Sequence, residues 1–370
     1  MINTILVTIL VVATINGLLA IILIIAEYYF SNYGECTIDI NQGKKKLTVT
    51  GGSTLLQTLN SQKIFLPSAC GGRGTCGYCK CKIEEGGGPL LPTEEPMLTK
   101  DEIADNIRLS CQVKVKQDLL ISIPEELFNI KEFTAEVSAI SDLTYDIKLI
   151  TLKLKEPKEI EFTPGQYIQL QSKPYENVKS SVSRAYSIAS SSTSKESINL
   201  MIRLVPEGIC TTWVHQYLKE NDQVMFTGPM GDFRLHEGDG EMILVAGGSG
   251  MAPMVSLLAE IYEKKIQRKV TYFFGAKTKD DLFYIDKMEE FQKLLPDFTF
   301  VPVLSEPKPD SDWKGKTGLV TVPLEEYLQS IDTGSVQGYL CGSPGMINAS
   351  VKVFKNQGVS GDRIFFDPFA

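Results

Sequence analysis

The stretch Cys70-Gly71-Gly72-Arg73-Gly74-Thr75-Cys76-Gly77-Tyr78-Cys79 constrains this 370-residue chain more than any other. Three thiols at C-x5-C-x2-C spacing, with glycine between them, read as a loop. A fourth thiol, Cys111, follows in Leu109-Ser110-Cys111-Gln112. Three clustered thiolates plus a distant fourth is the arrangement that binds a [2Fe–2S] cluster. The glycines let the loop wrap tightly and aim backbone N–H groups at sulfur. Structural zinc, the competing reading, usually takes two separated pairs of ligands. The first gap is one residue longer than the plant-type C-x4-C-x2-C spacing. Cys81, two residues beyond Cys79 on an expected strand, reads as a packing residue.

Composition removes other classes. The eight cysteines are too few for a disulfide scaffold in so long a chain, and their clustering points to a reducing compartment. A net charge of −8 and a pI near 5.1 argue against a nucleic-acid partner. With only His215 and His236, a His-rich metal site is excluded. The length implies two to four domains, and 43% hydrophobic with 22% charged residues is ordinary globular composition.

Residues 5–26 read ILVTILVVATINGLLAIILIIA, without one charge. That is long enough to cross a hydrocarbon core of ~30 Å. Glu27, Tyr28 and Tyr29 follow, as at a membrane interface. No Lys or Arg precedes the run and no A-x-A site ends it, which argues against a signal peptide. Lys44, Lys45 and Lys46 favour a cytoplasmic body. The expectation is a transmembrane anchor over residues 1–30.

Three further domains are expected. Residues 34–128 read as a small α+β unit: a hairpin turning through Asn41-Gln42-Gly43, a short helix over 54–60, and strand-like runs at 81–83 and 113–123. Residues 131–236 carry short strand-like runs at 134–140, 147–154, 167–171, 185–188, 198–204 and 223–227, with one helix over 211–219. Such spacing suggests an antiparallel β-barrel. Residues 240–370 alternate strand and helix and imply a doubly wound parallel α/β sheet.

Within the barrel region, Arg184-Ala185-Tyr186-Ser187 offers a guanidinium for a pyrophosphate, a ring for a flavin and a hydroxyl for flavin N5. Gly208-Ile209-Cys210-Thr211-Thr212 opens a helix whose N-terminus suits a dinucleotide pyrophosphate. An FAD site is therefore expected around Arg184, Ala185, Tyr186, Ser187, Gly208, Cys210 and Thr211. Three glycine turns follow at strand ends: Gly247-Gly248-Ser249-Gly250-Met251-Ala252-Pro253, Gly275-Ala276-Lys277 and Cys341-Gly342-Ser343-Pro344. None is the G-x-G-x-x-G fingerprint. All sit at the carboxyl ends of strands, where open α/β sheets bind ligands. A nicotinamide nucleotide is expected there, held by Gly247, Gly248, Gly250, Pro253, Gly275, Lys277, Cys341 and Gly342. Lys277 and Lys279 keep a 2′-phosphate possible.

These motifs, in this order behind one apolar segment, resemble the F subunit of the sodium-translocating NADH:quinone oxidoreductase. Ser68-Ala69-Cys70-Gly71-Gly72, Leu109-Ser110-Cys111-Gln112-Val113, Gly247–Met254 and the ending Phe366-Asp367-Pro368-Phe369 carry the likeness over nearly the whole chain. The connection from Gly165-Gln166-Tyr167 to Arg184 is shorter than that family's. The resemblance implies NADH as electron donor, hydride transfer to FAD, and single electrons passed to the [2Fe–2S] cluster and on to integral-membrane partner subunits that reduce quinone. It implies a single-pass protein of the bacterial inner membrane. It also gives Ser187, Cys341 and Phe369 catalytic roles, with Phe369 covering the flavin ring. The alternative is a membrane-tethered NAD(P)H reductase that serves an oxygenase or other acceptor without ion pumping.

Overall fold

The structure is a computed structural model that describes residues 9–22, 33–68, 70–308 and 312–368. Residues 9–22 form helix α1, whose apolar side chains, such as Ile9, Leu10 and Ile22, are exposed. At 1.5 Å per residue this described stretch of helix covers about 21 Å. Among the described residues no helix is long and apolar enough to cross a membrane. The expected anchor thus finds no support there, and its ends, residues 5–8 and 23–26, lie outside the described residues.

The chain divides into two compact units, Met1–Ser68 with Gly72–Asn129, and Ala69–Gly71 with Ile130–Ala370. The first unit carries β1 (Glu35–Ile40), β2 (Lys45–Thr50), α2 (Leu55–Ser61), β3 (Lys80–Glu85), α3 (Lys100–Ala104), β4 (Ile107–Leu109) and β5 (Leu119–Ser122) in a sheet of order β2-β1-β5-β3-β4. The β1–β2 turn runs through Asn41, Gln42 and Gly43, all at positive φ. Along β1 every second residue is buried, Cys36, Ile38 and Ile40, as strand geometry requires. Helix α2 covers that face with Leu55, Leu56 and Leu59, and a capping box of Thr54 and Gln57 fixes its start.

The expected strand over 113–123 is shorter than its pattern. Val113 and Val115 are buried, but their backbones bond to the start of α2 and the loop before it: Leu55 N–H to Val113 O at 2.7 Å, and Val115 N–H to Ser53 O at 3.0 Å. An apolar run at the rim of a core thus reads as strand without being one.

β4 is too short to show a period, and a buried ion pair holds it in place. Arg108 Nη2 meets Glu94 Oε2 at 2.5 Å, with the carboxylate fully buried. The guanidinium also donates to the carbonyls of Gly88 and Pro89 at 2.9 Å, and Glu94 Oε1 accepts from Leu109 N–H at 2.9 Å. This clamps the loop of residues 86–94 onto β4. Burial pushes the Glu94 carboxyl up, but Arg108 and the N–H groups of Leu109 and Leu91 overcome it and hold the carboxyl below its usual range. Its contribution to stability is therefore present above the ordinary carboxylate pKa and is lost as pH falls.

In the second unit, β6 (Lys131–Asp142), β7 (Ile147–Glu156), β8 (Tyr167–Gln171), β9 (Ser183–Ser187), β10 (Ser197–Arg203) and β11 (Gln223–Met230) form an antiparallel sheet of order β10-β7-β6-β11-β8-β9. A bridge between Ile188 and Leu200 joins the two ends of that order and nearly closes the barrel. Helix α4 (Ile209–Gln216) buries Trp213 and Val214 in the barrel core.

The remainder is β12 (Met242–Gly247), α5 (Met251–Glu263), β13 (Val270–Ala276), α6 (Ile285–Leu294), β14 (Phe298–Leu304), β15 (Lys316–Thr317), α7 (Thr321–Gln329), β16 (Gln337–Gly342), α8 (Pro344–Asn356) and β17 (Ile364–Pro368). The strands pair in parallel in the order β15-β14-β13-β12-β16-β17. Buried clusters lie on both faces, so β12 and β16 read as continuous apolar runs. The chain leaves β12 toward β13 and later returns on its other side as β16, which puts the topological switch point at β12.

Removing one partner of a buried ion pair leaves the other charge uncompensated, at a cost of about 3–5 kcal/mol. In scanning calorimetry, Glu94→Ala is expected to lower the unfolding transition of the first unit and leave that of the second in place. An unchanged first transition would show that the Arg108 clamp contributes nothing.

Candidate functional site

In the first unit, Ser110 N–H donates to Cys79 O at 2.9 Å, and the β3–β4 register pairs Lys80 with Leu109. This brings the buried thiols of Cys79 and Cys111 together. Their mutual hydrogen bond, followed by burial, pushes the Cys79 thiol far above its usual range, while Cys111 N–H and the Ser110 hydroxyl pull it down. The Ser110 hydroxyl is buried and makes no hydrogen bond of normal geometry. Cys76 is half-buried on the loop, whose Gly72, Gly74 and Gly77 all have positive φ. A Cβ on Gly72 would come within 4.0 Å of Cys111 Cβ. Burial drives the Cys81 thiol up to about 12, so it stays a protonated core residue. Cys70 is buried and lies on Ala69–Gly71, which groups with the second unit.

Among the described residues no group of three or more His, Cys, Asp or Glu side chains is arranged to hold a metal ion. The donor chemistry still fits a cluster of iron and sulfide: soft thiols, a buried Ser110 hydroxyl beside Cys79, and a glycine loop with room beside Cys111.

In the second unit, β9 lies against β8, with Tyr167 opposite Ser187, Ile168 opposite Tyr186, Gln169 opposite Ala185 and Leu170 opposite Arg184. The Tyr186 hydroxyl is buried without a hydrogen bond of normal geometry. Burial, then the nearby Cys210, raise that phenol well above its usual range. Arg184 Nη1 donates to Ser183 O at 2.7 Å. Ser187 is buried, and its Oγ donates to Asp367 Oδ2 at 3.5 Å. Asp367 pairs in register with Cys341 across β16 and β17. Burial pushes the Asp367 carboxyl up to about 6, against a downward pull from Ser187. Burial, then Asp367, raise the Cys341 thiol. Ser187, Asp367 and Cys341 therefore belong to one neighbourhood. Phe369 lies outside the described residues.

Gly208 is the N-cap of α4, so the helix opens two residues earlier than expected. The Thr211 hydroxyl is not free for a phosphate. It accepts from Val205 N–H at 3.2 Å and lies 3.2 Å from Gly208 O, which spends it on the turn itself. The first-turn N–H groups, including that of Cys210, are the donors left for an anion. The Cys210 thiol points elsewhere, toward Leu170 O at 3.8 Å.

The three glycine turns meet at the carboxyl edge of the parallel sheet, where Gly247 pairs with Gly275 and Ala246 with Cys341. A cleft of about 220 Å³ opens there, lined by Gly247, Gly248, Gly275 and Lys277, by Ser305, Leu319 and Ser343, and from the barrel by Asp146 and Arg203. Gly250 and Pro253 are buried beneath it. A Cβ on Gly250 would lie 2.3 Å from Cys341 O, so only glycine lets the turn approach β16. Gly342, at φ +146, and Cys341 do not line the cleft, although a Cβ on Gly342 would come within 3.4 Å of Gly247 O. Lys279 pairs with Asp312 at 2.7 Å, which leaves Lys277 as the cleft's lysine; Asp146 and Asp281 also line the cleft.

Sequence reasoning missed Asp367 and the barrel pair Arg203–Asp146, which meet at 2.7 Å. Asp367 was visible only as part of a terminal pattern. Nothing local marks Arg203, because its position over Gly248 arises from packing between the barrel and the parallel sheet.

Comparison with known proteins places three domains in this order. The 2Fe-2S iron-sulfur cluster binding domain matches residues 38–116, the oxidoreductase FAD-binding domain 134–235, and the oxidoreductase NAD-binding domain 244–352. The F subunit of the Na(+)-translocating NADH-quinone reductase of Pseudomonas aeruginosa is 35% identical over 96% of each chain. That of Neisseria meningitidis is 33% identical over 95% of this chain and 96% of its own. Among solved structures, a cytochrome P450 reductase from Amycolatopsis superposes with a TM-score of 0.73 at 28% identity, over 90% of this chain and 98% of that one. The ferredoxin reductase in carbazole 1,9a-dioxygenase does so at 0.69 and 26% identity, over 91% and 99%. With its three domains in order and relatives matched end to end, this chain belongs to the family of F subunits of the Na(+)-translocating NADH-quinone reductase.

Proposed function

We propose that this chain is the NADH-oxidising, electron-input subunit of a membrane NADH:quinone reductase of the sodium-translocating type. The observation that carries the reading is the convergence of Ser187, Asp367 and Cys341 beside a glycine-turned cleft, in a chain that also bears the cysteine loop. When bound, FAD would take a hydride from NADH and release single electrons to a [2Fe–2S] cluster, a conversion that neither nucleotide nor cluster performs alone.

The residues divide the work. Arg184 and the first-turn N–H groups of α4, at Cys210 and Thr211, would hold the FAD pyrophosphate, with Gly208 allowing the close approach. Tyr186 would direct its buried hydroxyl into that site, with Ala185 between the two on β9. Ser187 would present Oγ to the flavin ring while Asp367 orients it. Gly247, Gly248, Gly250 and Gly275 would let NADH lie against backbone, with Pro253 starting the helix and Lys277 on the rim. Cys341 and Gly342 would shape the nicotinamide end, and Phe369 would cover the ring until nicotinamide enters. Cys70, Cys76, Cys79 and Cys111 would hold the cluster.

The same reading gives residues 5–26 as a single-pass anchor in a bacterial inner membrane, with the body on the cytoplasmic side. Integral-membrane partner subunits would then carry electrons to quinone. A second reading, a reductase serving an oxygenase, is favoured by the likeness to two oxygenase-system reductases. NADH-driven quinone reduction by the complex purified from its native membrane separates the two.

Losing one thiolate opens a coordination site on iron. Cys70→Ala is expected to keep FAD and its bleaching by NADH, and to lose the visible iron–sulfur absorption and the reduced-cluster EPR signal. A retained EPR signal would remove Cys70 from the ligand set.

Asp367 adds a pH test. Unfolded, its carboxyl releases its proton near pH 4; folded, near pH 6. Between these values the unfolded chain binds fewer protons, so stability falls as pH rises, by at most roughly 3 kcal/mol at 1.36 kcal/mol per unit. Asp367→Asn removes that slope. In urea titrations of cofactor-free protein, the variant's advantage should grow from pH 4 to 6 and then level off; parallel pH curves would refute the buried carboxylate.

A further inference from the structure

Gln112 follows Cys111 and is half-buried in the first unit. Its Nε2 lies 3.6 Å from Cys111 Sγ, within range of an N–H···S hydrogen bond. Its Oε1 accepts from Thr93 Oγ1 at 3.0 Å. Thr93 precedes Glu94, whose ion pair with Arg108 clamps that loop to the strand leading into Cys111. The amide is thus held at both ends.

Two further observations fix its orientation. A thiolate bound to iron has no proton and only accepts, so the amide must turn an N–H toward sulfur and its oxygen toward Thr93. The Thr93 hydroxyl can donate to that oxygen. The cysteine loop also makes room for the group. Gly74, at φ +78, would place a Cβ 2.7 Å from Gln112 Nε2 and 3.0 Å from its Cδ. Glycine at 74 therefore allows the loop to lie against this amide.

We propose that Gln112 is a positioning residue that raises the electron affinity of the cluster through the Cys111 sulfur, with Thr93 as its orienting partner. The inference rests on the cluster reading above. Reduction by one electron adds a unit of negative charge to the iron–sulfide core and its thiolates and breaks no bond. A donor aimed at a ligand sulfur stabilises the more negative, reduced state and so raises the potential, since hydrogen bonds to the sulfurs tune these centres. One hydrogen bond contributes about 0.5–1.5 kcal/mol, about two- to tenfold in an equilibrium constant.

The test is an EPR-monitored redox titration of the full-length holoprotein. Gln112→Leu keeps the side-chain bulk and removes the donor. It is expected to retain the reduced-cluster signal and to bind the electron about two- to tenfold more weakly, the tenfold limit being 59 mV for one electron. Thr93→Val, at an exposed position, should shift the midpoint the same way by less. A fully loaded Gln112→Leu protein with the wild-type midpoint would overturn the proposal. If Gln112→Leu fails to load, a wild-type midpoint in Thr93→Val overturns it. A wild-type chain with no reduced-cluster signal would instead refute the cluster reading.

Discussion

The barrel and the parallel sheet share one hydrophobic core, and the arrangement of the second unit depends on it. Ile147, Ala189 and Met201 of the barrel are buried in the same cluster as Met251 and Met254 of α5 and Tyr339 of β16. A buried hydrogen bond from Ser256 Oγ to Ser190 O, 2.8 Å, pins α5 to the segment just after β9. Because interiors are close-packed, this contact leaves little freedom to slide. It sets Ser187 opposite Asp367 and lays Arg203 of the barrel over Gly248 of the glycine turn. A site assembled from two sheets needs such a joint, since neither sheet alone brings those groups together.

Within that frame, chemistry is placed by backbone more than by side chains. Gly247, Gly248, Gly275 and Gly318 line the cleft, and without side chains they let a nucleotide approach N–H groups closely. Several polar side chains are committed to the protein itself: Arg203 to Asp146, Thr211 to its own turn, Lys279 to Asp312. The first unit follows a comparable logic. Its buried Glu94–Arg108 pair holds a loop, the loop holds Thr93, and Thr93 holds the Gln112 amide beside a cysteine sulfur.

Features with local causes were legible in the sequence. Glycines at 247, 248, 275 and 342 announce turns after buried strands, because a parallel strand covered on both faces is uniformly apolar. The thiol spacing announced a cluster loop, and the alternation of β1 its buried face. Features with long-range causes were hidden. β4 has no period to read and is held by an ion pair formed with a residue fourteen positions away. Val113 and Val115 alternate like a strand, but Val113 O and Val115 N–H bond to Leu55 and Ser53, at the start of α2 and in the loop before it. Asp367 gains its raised pKa only where β17 closes beside β16 and β9. The apolar run at residues 5–26 is plain in the sequence, whereas among the described residues no helix is long and apolar enough to cross a membrane.

The central claim is a fixed order, NADH to FAD to cluster. Rapid mixing of the holoprotein with NADH, followed in parallel by flavin absorbance and freeze-quenched EPR, tests it most directly. Flavin bleaching is expected to precede the reduced-cluster signal, and protein stripped of FAD but retaining its cluster should show no cluster reduction by NADH. Reduction of the cluster by NADH in FAD-free protein would contradict it.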